Sequence, residues 1–280
     1  MLLAVIGLAL TAAVLHAAWN AILKGSENTF VFTARAVSSS AVLLTPVVAI
    51  AWAALGRPGL PPRGLGLALL SGALEVAYFV FLSWAYARGE LSVVYPIARG
   101  TAPVLATLIG LLLLGERVGG LQLGGIACLL LGIWAVRRPA QAGRALVPAL
   151  LTGMTIAAYS AVDRVGVRLG PAWLYLWVLW VVTAAGLLPI ALARVGGRAL
   201  LMTSDWARAA SVGLLITLAY LLVLLAYRLA PLSIVAPLRE SAVVLVAGWG
   251  VFRLRERQGA RLKLAGAAAI LAGVALIALG

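Results

Sequence analysis

SVVYPIARGTAPV, residues 92–104, is an apolar run with two prolines, Pro96 and Pro103, and a permanent charge, Arg99, between them. What such a segment can do depends on the solvent around it. In a bilayer it cannot be a simple loop, because exposed backbone there leaves N–H and C=O groups without partners. The prolines then weaken a helix at places where neighbouring helices or a cavity can rescue the freed carbonyls, and Arg99 needs the same cavity to stay hydrated.

Composition identifies the solvent. Of the 280 residues, 64% are apolar and 11% charged, and the mean hydropathy is +1.10. A soluble domain carries roughly 25% charged residues, so most of the expected water-facing surface is missing. Ten stretches are long and apolar enough to cross a bilayer, near Leu2–Leu23, Phe30–Leu55, Gly64–Ala87, Leu91–Leu114, Leu121–Val136, Leu146–Val167, Trp173–Ala193, Trp206–Tyr227, Leu232–Phe252 and Leu262–Leu279. Nothing long is left over for a soluble domain, so the fold class is an all-α integral membrane protein. The first stretch lacks a positively charged start and runs long for a secretory signal, so it reads as a retained helix. Cys128 is the single cysteine, which excludes an intrachain disulfide.

The formal charge of +14 invites a nucleic-acid reading, but its placement argues against one. Most of the basic residues fall in short connections: Arg57, Arg63, Arg137, Arg138, Arg144, Arg194, Arg198 and the cluster Arg253, Arg255, Arg257, Arg261. Membrane proteins use positive charge in this way, to set orientation and to meet anionic headgroups. Odd-numbered connections carry about 13 Lys/Arg and even-numbered ones about 6, which by the positive-inside count places both termini outside.

The chain repeats itself at about 140 residues, dividing into 1–140 and 141–280. YARGELSVVYPIARG (86–100) matches YRLAPLSIVAPLRES (227–241): Tyr86 pairs with Tyr227, Ser92 with Ser233, Pro96 with Pro237 and, after a one-residue gap, Arg99 with Arg239. Glu116-Arg117-Val118-Gly119 pairs with Glu256-Arg257-Gln258-Gly259, and Gly132 with Gly273. Earlier, His16 falls on Tyr159, Asn20 on Asp163 and Pro46 on Pro189. Five helices per copy is an odd number, so the second copy is inverted in the membrane. The expected architecture is ten transmembrane helices as two inverted five-helix repeats. Such repeats underlie alternating access, with the substrate site near the midplane at their interface. A symmetric scaffold or channel is the alternative. Small residues at every fourth position, Gly124, Cys128, Gly132 and Ala265, Ala269, Gly273, mark close-packing faces on helices 5 and 10. These faces pack within one chain or form a homodimer seam.

A charge at the bilayer centre costs about 2.5–3.5 kcal/mol on insertion scales, so it faces a cavity or a partner. Glu75 lies mid-span in the third helix, and Arg99 about eight residues, or about 12 Å, into the fourth. Arg239 and Glu240 sit at similar depth in the ninth helix, Asp163 in the last third of the sixth, and Arg35 near one end of the second. His16, Asn20 and Lys24 share a helix face with Trp19 beside it, and Tyr159 and Asp163 form the equivalent stripe. For His16 and Asn20 the alternatives are a cavity lining and interhelical hydrogen bonds that only fix packing. Arg35 and Lys24 are close enough to helix ends to snorkel. Desolvation at Glu75 favours the protonated form, the property a proton-coupling group needs, whereas a static salt bridge to Arg99 or Arg239 would keep it ionised. Arg99 and Arg239 are expected to attract an anionic group, Glu75 to carry a proton or bind an amine, and Trp19, Tyr78, Tyr95 and Tyr159 to supply aromatic walls.

Other chemistries are set aside. One histidine cannot build an HExxH-type zinc site or a multi-histidine haem site. There is no P-loop pattern for nucleotide hydrolysis and no G-x-S-x-G elbow. No cofactor, metal or enzymatic activity is expected.

Tyr95-Pro96…Arg99…Pro103, followed by Gly115-Glu116-Arg117 and a Gly-rich helix ending Leu-Gly-Ile (131–133), resembles the EamA repeat of the drug/metabolite transporter superfamily. Ala236-Pro237…Arg239…Arg255-Glu256-Arg257…Leu271-Ala272-Gly273 is a second, weaker copy, and His16-Ala17-Ala18-Trp19-Asn20-Ala21 resembles the first helix of many members. The resemblance covers essentially the whole chain. It implies a secondary transporter of the bacterial cytoplasmic membrane that exports or imports amino acids, metabolites, nucleoside-type molecules or drugs, typically without ATP, with no shared binding motif that would carry over a substrate. Its cavity would be lined by helices 1, 3, 4, 6, 8 and 9, and its termini would lie in the cytoplasm, against the loop count. A lipid-handling protein or a non-transporting scaffold is the competing class.

Overall fold

The computed structural model describes residues 1–23, 26, 28–89, 91–137, 143–201, 205–241 and 260–280, without the side chains of 20, 21, 23, 91–93, 95, 96, 136, 137, 260 and 263. Among these residues the α-helices are α1 (Leu2–Leu23), α2 (Thr29–Ala54), α3 (Pro62–Tyr86), α4 (Leu91–Leu108), α5 (Gly120–Arg137), α6 (Leu146–Gly166), α7 (Ala172–Leu201), α8 (Trp206–Leu229), α9 (Leu232–Arg239) and α10 (Ala260–Leu279). Six of them (α1, α2, α3, α6, α7 and α8) are long and apolar enough to cross a membrane by length and composition. α4, α5 and α10 hold shorter apolar segments. The described part of α9 ends in a turn at Glu240 and Ser241, and the rest of that expected span lies outside the described residues.

α4 stays helical through both prolines. The expected weakening comes later instead, as a π-helical turn at Ile109–Leu113, where the Leu114 N–H reaches back to the Ile109 carbonyl (3.0 Å). Gly115, at φ +63°, then reverses the chain in a region that L side chains rarely adopt. The reversal sends Glu116 back toward the bundle, where its N–H bonds the Gly110 carbonyl (2.9 Å).

The packing carries the duplication into three dimensions. α1 packs on α8 as α3 packs on α6; α1 on α9 as α4 on α6; α2 on α8 as α3 on α7. The pairs α2–α7, α4–α9 and α5–α10 are their own mates under the same exchange. A pseudo-twofold axis relating the halves requires this pattern. Exposed Leu, Val and Trp side chains such as Val42, Val47, Leu112, Leu131 and Trp134 face outward, as they would toward lipid.

Along the α5–α10 seam, a Cβ on Gly132 would lie 2.6 Å from the Gly266 carbonyl, and one on Gly273 2.6 Å from the Gly125 carbonyl. The seam is thus intramolecular. It uses Gly125 and Gly266 in place of Gly124 and Ala265, because positions four apart advance about 40° around a helix and drift off the contact line. Gly124 has open space around it, and Ala265 is exposed. Arg35, near the start of α2, donates to the carbonyls of Leu200 (3.0 Å) and Ala199 (2.6 Å). It caps the end of α7, a structural task in accord with its place near a helix end.

Candidate functional site

Seven helices converge on a small chamber of about 40 Å³ lined by His16, Trp19, Glu75, Tyr78, Phe79, Arg99, Tyr159, Trp180, Tyr220 and Arg239. A vestibule of about 370 Å³ adjoins it, lined by Phe30, Thr33, Leu82, Ser83, Tyr86 and Ile156 among others. Trp19, Tyr78, Phe79 and Arg99 belong to both. The vestibule is bounded by the end of α1, the start of α2 and the end of α3, so it lies toward the odd-numbered connections. Its volume is within the range of small-molecule sites, about 300–1,000 Å³. The chamber has room for only a few water-sized groups, about the headgroup of a metabolite.

The two arginines equated by the repeat have different surroundings. Arg99 Nη1 donates to Glu240 Oε1 at 3.0 Å, and both side chains are buried. The Arg99 guanidinium also abuts His16 Nε2, while Trp19 Nε1 donates to His16 Nδ1 at 3.2 Å. His16 thus sits between Trp19 and Arg99, its two ring nitrogens turned to one neighbour each.

Arg239 has no ion pair among the described residues. Its Nη2 donates to the Tyr159 hydroxyl (3.3 Å), and its guanidinium lies 5.9 Å from the Tyr220 ring centre. Tyr159 and Tyr220 stand edge to face at 6.1 Å, with Tyr78 6.0 Å from Tyr159 and Trp180 5.7 Å from Tyr220. The Tyr220 ring and the Tyr159 hydroxyl hold the cation without neutralising it.

Glu75, 3% exposed, lines the chamber within electrostatic reach of Arg99, Arg239 and Asp163. The salt bridge that would have made it static is not formed, since among the described residues no ion pair includes Glu75.

Two expected lining residues stand elsewhere. Asp163 is behind the chamber wall and fully buried, taking hydrogen bonds from the hydroxyls of Tyr175 (2.9 Å) and Tyr220. Its place in the last third of α6 turns it toward α7 and α8, so it positions Tyr220. Glu240 faces a void of about 10 Å³ beside Arg239 and Tyr227, and reaches the site only through Arg99. The side chains of Asn20 and Tyr95 lie outside the described residues, as does Lys24. Trp180 and Tyr220 were missed from the sequence. Tyr220 falls on Tyr78 if the repeat is slipped by one residue within α8, a signal that was present. Trp180 brings α7 into a lining otherwise made by the six expected helices.

An inverted pair of apolar helix bundles enclosing a chamber of buried charges defines a multi-pass membrane transporter. A sequence model described as "EamA-like transporter family" matches residues 2–138 and again 143–279, and the chain belongs to that family, part of the drug/metabolite transporter superfamily. A solved structure described as "Crystal structure of protein" is similar over 99% of this chain and 98% of that one, at 19% identity and a TM-score of 0.75. It supports the fold alone. No curated protein matches the chain.

Proposed function

We propose that the protein is an ATP-independent secondary transporter of the bacterial cytoplasmic membrane, with ten spans, that exports a small metabolite carrying both charges, such as an amino acid, by alternating access. The observation that supports this substrate class is the pairing of Arg239 with Glu75 across one chamber, opposite charges without ion-pair partners among the described residues. Arg99, neutralised by Glu240, holds the wall. The substrate's carboxylate would meet Arg239 and the tyrosine hydroxyls, its amine Glu75, and its side chain the aromatic vestibule.

Charge balance supports proton coupling. Around the chamber the described carboxylates are Glu75, Asp163 and Glu240, and the guanidiniums are Arg99 and Arg239. One negative charge is in excess, which is costly in a desolvated centre, and a proton on Glu75 or a substrate amine beside it removes the excess. The two would then exchange at Glu75.

Counterflow of an amino-acid panel in proteoliposomes, with and without an imposed pH gradient, tests the reading. Arg239→Gln should abolish counterflow, and Glu75→Gln should abolish its response to the gradient. Zwitterion transport unaltered in folded Arg239→Gln protein would sink the assignment, and a phospholipid as the sole transported species would favour a lipid-handling protein.

A further inference from the structure

The two ends of the molecule differ where the repeat makes them equivalent. Tyr86 and Arg99 line the vestibule of about 370 Å³, whereas their mates Tyr227 and Arg239 border the void of about 10 Å³. One side is open and the other shut. The shut side leads along three helices to a single carboxylate. Beyond Ala106 on α4 comes Gly110, beyond Ser160 on α6 comes Arg164, and before Ala236 on α9 comes Ser233. Glu116 meets all three.

Its side chain, 7% exposed, takes four hydrogen bonds. Oε1 accepts from the Leu232 N–H (2.6 Å) and Arg164 Nε (3.2 Å), and Oε2 from the Ser233 N–H (2.9 Å) and hydroxyl (2.9 Å). Every donor belongs to the second repeat, and Glu116 belongs to the first. The carboxylate closes over the N-terminus of α9, where backbone N–H groups are otherwise unpaired and the helix dipole favours negative charge. Gly110 makes the approach possible, since a Cβ there would collide with the Glu116 carboxylate.

We propose that Glu116 is the latch that holds the even-numbered-connection side shut, and that its release from α9 opens a path through the void beside Arg239 while the vestibule closes. The proposal rests on the alternating-access reading above, and its test needs no substrate. In a Cys128→Ser background, Ala106→Cys reports on the void and Leu82→Cys on the vestibule, each read with a membrane-impermeant maleimide in sealed vesicles of both orientations. Glu116→Gln sets an amide N–H against a backbone donor. It should raise Ala106→Cys labelling from one face about tenfold or more, as loss of charged hydrogen bonds implies, and lower Leu82→Cys labelling from the other face. Ser233→Ala, which removes one donor, should shift both reporters in the same directions by less.

Unchanged labelling at both reporters in Glu116→Gln protein that keeps a cooperative melt overturns the latch. If that variant fails to fold, Ser233→Ala decides: no shift at either reporter overturns it equally. Reporters that alternate between faces regardless of residue 116 overturn the latch alone. Reporters that no face ever reaches overturn alternating access with it.

Discussion

Arg99 and Arg239 hold equivalent places in the two repeats and have taken on different tasks. The Arg99–Glu240 pair is buried, so removing one partner strands the other charge. Glu240→Gln should therefore lower stability by about 3 kcal/mol, seen as a fall in the detergent melting temperature. Arg99→Met with Glu240→Met, which removes both charges, should recover most of that loss. Asp163→Asn should weaken substrate binding through Tyr220 while the melting temperature falls less than for Glu240→Gln, because the amide still accepts one tyrosine hydroxyl. Depth in the membrane, which a hydropathy reading supplies, was enough to single out Glu75, Arg99 and Arg239. It could not assign partners, because Glu240 follows Arg239 in sequence yet pairs across the repeat with Arg99. Asp163 looked like a lining residue for the same reason: depth is legible in one dimension, and the direction a side chain takes around its helix is set by neighbours far away in the chain.

Among the elements, α5 and α10 show how packing outranks pattern. A stripe of small residues at every fourth position marked the right helices, but the contact line follows the true helical repeat and passes through Gly125, Gly132, Gly266 and Gly273. Gly132→Leu and Gly273→Leu should each destabilise the protein by at least about 1–3 kcal/mol through overpacking, and to similar extents, since the repeat makes the two sites equivalent. Gly124→Leu, with open space around it, should leave the melting temperature unchanged. α4 gives the complementary lesson. Two prolines suggested where it would weaken, yet it runs through both and loosens at Gly110, where the chain must make room for a carboxylate that sequence patterns alone do not place there.

At the scale of the whole molecule, the inverted duplication was the most legible property, because it is written in the order of residues: Tyr86 with Tyr227, Ser92 with Ser233, Gly132 with Gly273. What order cannot express is that the halves adopt unequal shapes, a vestibule on one side and a sealed void on the other. The α5–α10 seam also has a bearing on biosynthesis. α5 ends at Arg137, and the helix whose carbonyls nestle against its glycines begins only at Ala260. At about 5–20 residues per second, α5 waits on the order of ten seconds in the membrane with a bare glycine groove. A chain stopped before Ala260 never fills that groove and should be cleared by membrane proteases, which pulse–chase against the full chain would show as a shortened lifetime.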